Sequence, residues 1–278
     1  MKVLLVGANG FLGQSVLEKL IHSKFNVDVL ISSRGNRKLE GVQNIYFSKD
    51  LDSITISPPD IIINVAAYIP YGNLNEVSSK LIEANIHLPL MLKNNFPDSR
   101  FIHTSSVSVY GDNNNSLNEL SECISPNAYG LSKLLSEKVV NSHSNSVIFR
   151  ISSMYGKGMK PFGIIPFYLE KAKESNKIPV LGIGERLQDY IFVNDVADLI
   201  ISAIHSDAKG VFLAANGVSQ SNLRLAEMIC NIFPKSKIEL KGIDDSLSRM
   251  YDTSKTKTEF GSFAKTTLSD GLMKMVSK

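Results

Sequence analysis

Hydrophobic positions along the 278-residue chain collect into short runs separated by longer amphipathic stretches. Val3-Leu4-Leu5-Val6, Val27-Asp28-Val29-Leu30-Ile31, Ile61-Ile62-Ile63-Asn64-Val65, Arg100-Phe101-Ile102-His103-Thr104 and Val147-Ile148-Phe149-Arg150-Ile151 are each dominated by apolar residues. Runs of that kind, rather than strict alternation, belong to strands buried on both faces of a parallel sheet. Ile45-Tyr46-Phe47 reads as a weaker strand. Between these runs the spacing predicts helices over residues 11 to 22, 74 to 93 and 127 to 140, with Pro89 bending or dividing the second. Strands alternating with helices imply an α/β fold with a doubly wound parallel sheet. Past Tyr155 the alternation weakens, and residues 156–188 and 215–278 carry more Gly, Pro and Lys. A strand at Ile191-Phe192-Val193 and a helix from Asp195 to His205 return to the earlier pattern. The expected organisation is a main domain of residues 1–155 plus 189–214 and a smaller C-terminal lobe of residues 156–188 plus 215–278.

The first strand runs straight into Gly7-Ala8-Asn9-Gly10-Phe11-Leu12-Gly13, three glycines at a spacing of three. Gly7 permits a tight turn, Gly10 lets the backbone approach a pyrophosphate, and Gly13 allows the next helix to pack closely. That helix would aim its free N–H groups and positive dipole end at the phosphates. Strand, glycine turn and helix together describe a Rossmann-like dinucleotide site. Tyr129 and Lys133, four residues apart, fall on the third predicted helix and share one face of it. A phenol with an ordinary pKa of about 10 exchanges protons poorly near neutrality unless a nearby ammonium favours its phenolate. Lys133 is placed to act so. One Tyr-x-x-x-Lys pair arises often by chance, so its weight comes from the glycine turn upstream and from Ser106 at the end of the fifth strand.

Composition changes little but excludes some classes. Hydrophobic residues make up 43% and charged residues 21%, as in an ordinary globular protein. The net charge of +3 is too small to imply nucleic acid, though it suits an anionic small ligand. No apolar run approaches the ~18 residues of a membrane span, and Cys123 and Cys230 form no disulfide framework. A soluble cytoplasmic protein with no membrane partner is expected. The five histidines lie on separate elements without metal-ligand spacing, so no metal is expected. No Gly-x-Ser-x-Gly elbow is present.

Further segments carry a family resemblance: Asn64-Val65-Ala66-Ala67, Thr104-Ser105-Ser106-Val107-Ser108-Val109-Tyr110-Gly111, Arg150-Ile151-Ser152-Ser153-Met154-Tyr155-Gly156 and Asp189-Tyr190-Ile191-Phe192-Val193-Asn194-Asp195. With the glycine turn and Tyr129/Lys133, the chain resembles an extended short-chain dehydrogenase/reductase of the nucleotide-sugar epimerase, dehydratase and reductase group. The resemblance implies a nicotinamide dinucleotide in the Rossmann-like domain and a nucleotide-linked sugar under the C-terminal lobe. It places Ser106, Tyr129 and Lys133 at the catalytic positions, with Lys133 also holding the nicotinamide ribose. Asn85 matches an asparagine that orders a proton-relay water, although a buried structural hydrogen bond is the alternative. Asn9, Phe11 and Leu12 accompany the three glycines around the pyrophosphate. Asp50 and Leu51 would flank the adenine, and Ala66 and Ala67 would lie under the dinucleotide. A homodimer is a further expectation of the resemblance. Tyr110 is expected to pack rather than react, because no lysine follows it at the same spacing.

Cofactor choice is read at the end of the second strand. A carboxylate there would bind both adenine ribose hydroxyls and repel a 2′-phosphate, whereas this chain has Ser32-Ser33-Arg34-Gly35-Asn36-Arg37. Ser33 and Arg34 suit the added phosphate, so NADP is expected ahead of NAD; the alternative is that the arginines are solvated. Dehydratases of the group carry an acid pair directly after the catalytic hydroxyl, and here those positions are Val107 and Ser108. Elimination is therefore disfavoured, and the short chain points to an NADPH-dependent reductase of a nucleotide-linked 4-keto-6-deoxyhexose. An epimerase with tightly bound NAD is the alternative; a non-catalytic NADP-binding regulator is a second one. Ser152, Ser153, Arg186 and Arg249 are the candidate substrate contacts. Arg186 stands in for an arginine that the group often places where this chain has Gln188, unless it is only a surface charge. Asp195 is expected to cap the helix it begins.

Overall fold

The computed structural model describes residues 1–32, 39–48, 56–113 and 116–277. In chain order the first half gives β1 (Lys2–Val6), α1 (Phe11–His22), β2 (Asn26–Ile31), β3 (Asn44–Phe47), β4 (Ile61–Asn64), α2 (Ser79–Ile82), a π-helical turn (Glu83–His87), α3 (Leu88–Asn95), β5 (Arg100–Ser106), a 3-10 turn (Val107–Tyr110), β6 (Ser116–Leu117) and α4 (Ala128–Asn141). The second half continues with β7 (Ser146–Ile151), β8 (Ser153–Tyr155), α5 (Ile164–Glu174), β9 (Lys177–Leu181), β10 (Leu187–Gln188), β11 (Tyr190–Phe192), α6 (Val193–Ile204), β12 (Gly210–Ala214), β13 (Gln220–Ser221), α7 (Asn222–Ile232), β14 (Lys237–Lys241), β15 (Met250–Tyr251), α8 (Ser254–Phe260) and α9 (Leu268–Val276).

The long apolar runs pair into one seven-stranded sheet, in the order β12-β7-β5-β4-β1-β2-β3, and every pairing is parallel. This is the Rossmann-like α/β architecture that the runs imply. Each face of the sheet carries its own core. Leu12, Val16 and Leu20 of α1 meet Val196, Leu199 and Ala203 of α6 on one side. Leu92 of α3 and Val140 of α4 cover Leu4, Ile62 and Phe101 on the other. Strand order reverses direction at β1 and β4, and a crevice at such a switch point is where open α/β sheets bind ligands. A further core lies away from the sheet, where α5 and α7 pack on the parallel pair β9 and β14 and α9 packs against α7 and β11. β12, a seventh sheet strand, was not anticipated from the sequence.

The helix expected from residue 74 begins only at Ser79. Ser78 caps it by accepting from the Leu81 amide at 3.4 Å, while Asn73 holds the preceding turn by accepting from the Asn75 amide at 3.1 Å. Leu74 and Val77 supply helix-like spacing, yet both side chains are exposed. Pro89 divides the helix as expected, and the division takes a definite form. Proline offers no N–H to the carbonyl of Asn85 four residues earlier, and the chain answers with a π-helical turn in which the Leu88 amide bonds to the Glu83 carbonyl. Asn85 sits within that turn. Asp195 does not cap its own helix: its carboxylate accepts from the Thr266 amide at 2.8 Å and hydroxyl at 3.0 Å, fastening the C-terminal segment to the start of α6.

Candidate active site

The carboxyl ends of β1, β4 and β5 and the start of α4 converge on one cleft. Gly7 ends β1 with φ of +88°, and a Cβ there would lie 2.9 Å from the Ala66 backbone. The two loops at the switch point can touch only because Gly7 has no side chain. A Cβ on Gly13 would likewise collide with the Gly7 carbonyl. α1 begins with no side-chain cap, and the start of such a helix is where a phosphate can accept from backbone amides. Leu12 turns its side chain into the sheet core, leaving only its backbone toward a ligand, and Phe11 is half-buried beside the same core. Asn9 is half-buried on the turn, Ala66 is half-buried behind it and Ala67 is exposed. Ser33, Arg34, Asp50 and Leu51 lie outside the described residues.

Ser106 ends β5 and caps the 3-10 turn, accepting from the Ser108 amide at 3.1 Å while its hydroxyl reaches the Ser108 hydroxyl at 3.1 Å. The same hydroxyl lies close enough to the Tyr129 phenol to favour its ionised form. α4 reaches this turn because Gly130 carries no Cβ; one would collide with the Ser108 carbonyl. Asn127 caps α4 by accepting from the Gly130 amide at 2.8 Å, and the Tyr129 amide donates to the Leu74 carbonyl at 3.0 Å. Three separate loops thus fix the direction of the phenol. Burial pushes the Tyr129 phenol up to about 12, partly offset by the nearby Ser106 hydroxyl. From the sequence Lys133 is expected to lower this pKa, but in the folded chain burial dominates and the Lys133 charge is not among the influences on the phenol.

Lys133 is 1% exposed, and its ammonium has no hydrogen-bond partner among the described residues. Burial lowers its pKa to about 8, against the pull of the Glu137 carboxylate one turn further along α4. Glu137 is held in turn by Arg150, whose Nε and Nη2 donate at 3.0 and 2.8 Å, and by the Ser105 hydroxyl at 2.5 Å. A buried donor with nothing to donate to is costly, and vicinal ribose hydroxyls are the kind of group it can satisfy. The uncapped α1, the close Gly7 turn and the Lys133 ammonium therefore fit a dinucleotide.

Asn85 is fully buried with all its side-chain hydrogen bonds inside the protein. It accepts from the Tyr68 amide at 2.8 Å and donates to the Tyr68 carbonyl at 3.0 Å and the Ser132 hydroxyl at 2.9 Å. Tyr110 packs as expected, with its hydroxyl on the Asn118 carbonyl at 2.7 Å and the Arg150 guanidinium over its ring. Ser152 donates to Asp189 at 2.6 Å, and Asp189 also accepts from the Asn216 and Gly217 amides. Ser153 is exposed, its amide on the Asp189 carbonyl. Arg249 donates to the Gly111 and Asn113 carbonyls. Arg186 donates to the Leu247 carbonyl at 3.3 Å beside an open pocket of about 300 Å³ that Gly184 and Asp244 also line. Sequence reasoning overlooked Tyr71, whose phenol acts on that of Tyr129 through charge. It also overlooked the buried His103, whose Nε2 is 3.0 Å from the Ser136 hydroxyl and which burial and the Lys133 charge hold well below the usual imidazole range. No motif spacing marks either residue.

Comparison with known families fits this geometry, since residues 3–215 match the model of the NAD dependent epimerase/dehydratase family. The chain belongs to that family. Its members of this shape are extended short-chain dehydrogenases/reductases, which are nicotinamide-dependent enzymes of the oxidoreductase type. A dTDP-D-glucose 4,6-dehydratase of Dictyostelium discoideum is 28% identical over 83% of this chain, which spans 62% of that protein. A dTDP-4-dehydro-6-deoxyglucose reductase of Escherichia coli is 24% identical over 99% of this chain and 96% of its own length. The fold superposes with a TM-score of 0.84 on a UDP-glucuronic acid 4-epimerase from Bacillus cereus in complex with UDP-glucuronic acid and NAD, at 21% identity over 99% of this chain and 98% of that one. Among the described residues no helix is long and apolar enough to cross a membrane.

Proposed function

We propose that this family member is an NADPH-dependent reductase of a nucleotide-linked 4-keto-6-deoxyhexose. The observation that carries the reading is the Ser106 hydroxyl and Tyr129 phenol together with the buried Lys133 ammonium, which has no hydrogen-bond partner among the described residues, and no acid directly after Ser106. Bound beside these groups, a reduced nicotinamide supplies the hydride. Ser106 donates a hydrogen bond to the ketone oxygen, and Tyr129 delivers its proton there as charge develops on that oxygen. A buried phenol that stays protonated near neutrality is in the form reduction requires; removing a proton from an alcohol would need its phenolate. Lys133 holds the ribose hydroxyls, and the Glu137 carboxylate favours its charged form against burial. Val107 and Ser108 cannot exchange protons near neutrality, so neither assists loss of water. Asn85 serves as a positioning residue, locking the Tyr68 loop to α4.

Residues 1–155 and 189–214 are assigned to the dinucleotide, and residues 156–188 and 215–278 to the nucleotide sugar. Arg186, at the mouth of its pocket, is the cation assigned to the diphosphate. Ser33 and Arg34 carry the preference for the 2′-phosphate of NADP on sequence grounds alone. The exposed Leu131 and Leu135 on α4 and Ile82 and Leu90 on the neighbouring helix segments form an apolar stripe, which suits a homodimer. A second reading, an epimerase retaining NAD, is favoured by the fold likeness to the Bacillus cereus epimerase and its NAD.

The site assignment is tested with Tyr129→Phe and Ser106→Ala. Both should bind dinucleotide as the parent does, by fluorescence titration, while turnover of nucleotide ketosugars falls by about 10²-fold or more. Unchanged turnover in Tyr129→Phe would remove the phenol from the mechanism.

A further inference from the structure

α4 carries two serines, Ser132 and Ser136, and each stands three residues after one of the two site residues of that helix, Tyr129 and Lys133. Both serines are buried, and both turn their hydroxyls back along the helix. The Ser132 hydroxyl donates to the Tyr129 carbonyl at 2.7 Å, and the Ser136 hydroxyl donates to the Lys133 carbonyl at 2.8 Å. A serine bonded to its own helix in this way is common. These two also meet a buried side chain from another element. Asn85 of the π-helical turn donates to Ser132 at 2.9 Å, and His103 of β5 has its Nε2 3.0 Å from the Ser136 hydroxyl.

Counting protons fixes the direction of the bond from β5. A serine hydroxyl has one proton to give and lone pairs on which to accept. The Ser136 proton goes to the Lys133 carbonyl, so the bond with His103 forms only when the imidazole carries its proton on Nε2. With that proton on Nδ1, Ser136 would have to turn to His103 and release the carbonyl. The Nδ1 proton would also be a buried donor, at an atom with no hydrogen-bond partner among the described residues. Burial and the Lys133 charge keep the ring neutral, so one nitrogen alone is protonated. Asn85 meets the same requirement with an amide nitrogen, which gives one proton to the Tyr68 carbonyl and the other to Ser132.

We propose that Ser132 and Ser136 are positioning residues, each bracing the peptide carbonyl of one site residue against a neighbouring element: Ser132 braces Tyr129 on Asn85, and Ser136 braces Lys133 on His103 in its Nε2–H tautomer. The inference rests on the reading above, in which Tyr129 delivers a proton and Lys133 holds the ribose. A carbonyl tied to a second element keeps its turn of α4 from shifting along or about the helix axis, and a misplacement of about 1 Å at a reacting group is enough to slow turnover. Because the two braces are separate, their losses differ in kind. Loosening Tyr129 touches the chemical step, whereas loosening Lys133 touches the hold on the dinucleotide.

The tautomer is read from the nitrogen-15 chemical shifts of the histidine rings in labelled protein, with the His103 signals assigned by their loss in His103→Gln. The proposal requires Nε2–H, and Nδ1–H overturns it. Ser136→Ala and Ser132→Ala are then compared with the parent by fluorescence titration of NADPH or NADH, whichever the parent binds more tightly, and by kcat and KM on a nucleotide 4-ketosugar. Ser136→Ala should weaken the dinucleotide about tenfold, roughly the worth of one hydrogen bond, and weaken it no further when added to Lys133→Met. Ser132→Ala should keep the parental dinucleotide affinity and sugar KM while kcat falls about tenfold. A merely structural role would lower the melting temperature of both variants without separating affinity from turnover. Equal dinucleotide affinities in the two alanine variants overturn the proposal, and weak binding by Lys133→Met in the same series leaves the ribose reading standing. Parental affinity in Lys133→Met overturns that reading and the proposal together. A parent that binds dinucleotide but reduces no ketosugar overturns the reductase reading, and the affinity comparison still decides the proposal.

Discussion

At the scale of single residues, Lys133 shows how function opposes stability. Its ammonium is buried without a hydrogen-bond partner among the described residues, and its pKa falls from 10.5 to about 8. Because the folded value is the lower one, the unfolded chain binds more protons between those two pH values, so stability rises with pH across that window. Below it, the charged lysine costs the fold on the order of 3 kcal/mol relative to a site where its pKa is unchanged. Lys133→Met should remove that pH-dependent rise and raise the stability of the dinucleotide-free protein near neutrality by roughly 1–3 kcal/mol, while turnover is lost. Urea melts of parent and variant below and above the window check this. A variant less stable than the parent near neutrality would mean that the ammonium is satisfied in the folded chain. The pair Tyr129/Lys133 was legible from its spacing taken together with the glycine turn and Ser106. Its electrostatics were not, since burial, which decides both pKa values, depends on packing that no local motif records.

At the scale of elements, the site depends on α4 lying hard against the 3-10 turn that follows β5. Gly130 makes this approach possible, and the substitution Gly130→Ala would set a methyl against the Ser108 carbonyl. The expected result is a displaced α4, a Tyr129 phenol moved away from Ser106 and a loss of turnover of about 10²-fold, since misplacement of about 1 Å is enough for that. Dinucleotide affinity should change far less, because the glycine turn before α1 is remote from this contact. Turnover and fluorescence titration on the one variant separate the two effects. The strands and helices of the first half were readable because fully buried strands write themselves as apolar runs and the glycine turn punctuates them. The helix start at Ser79 was misread because Leu74 and Val77 imitate a helical stripe, whereas the Asn73 turn and the Ser78 cap decide the boundary. The π-helical turn at Glu83–His87 follows from the missing N–H of Pro89, which predicts a disturbance but not its kind. β12 was missed because Gly210–Ala214 is short and acquires its identity only by pairing with β7.

At the scale of the whole molecule, a seven-stranded parallel sheet is joined by a second core to which α5, α7, α9 and the β9–β14 pair contribute. Family membership places the chain among NAD dependent epimerases and dehydratases, and the proposed reduction rests on Val107 and Ser108 standing where an acid pair would follow Ser106. Reduction consumes a cofactor that epimerisation would return. The decisive quantity is therefore the fate of the cofactor, measured as NADPH oxidised per nucleotide-linked 4-keto-6-deoxyhexose consumed by the purified protein. The account predicts one NADPH per sugar, with the 4-hydroxy sugar as product; interconversion of nucleotide hexoses by protein carrying its own NAD, with no net oxidation of added NADPH, would contradict it.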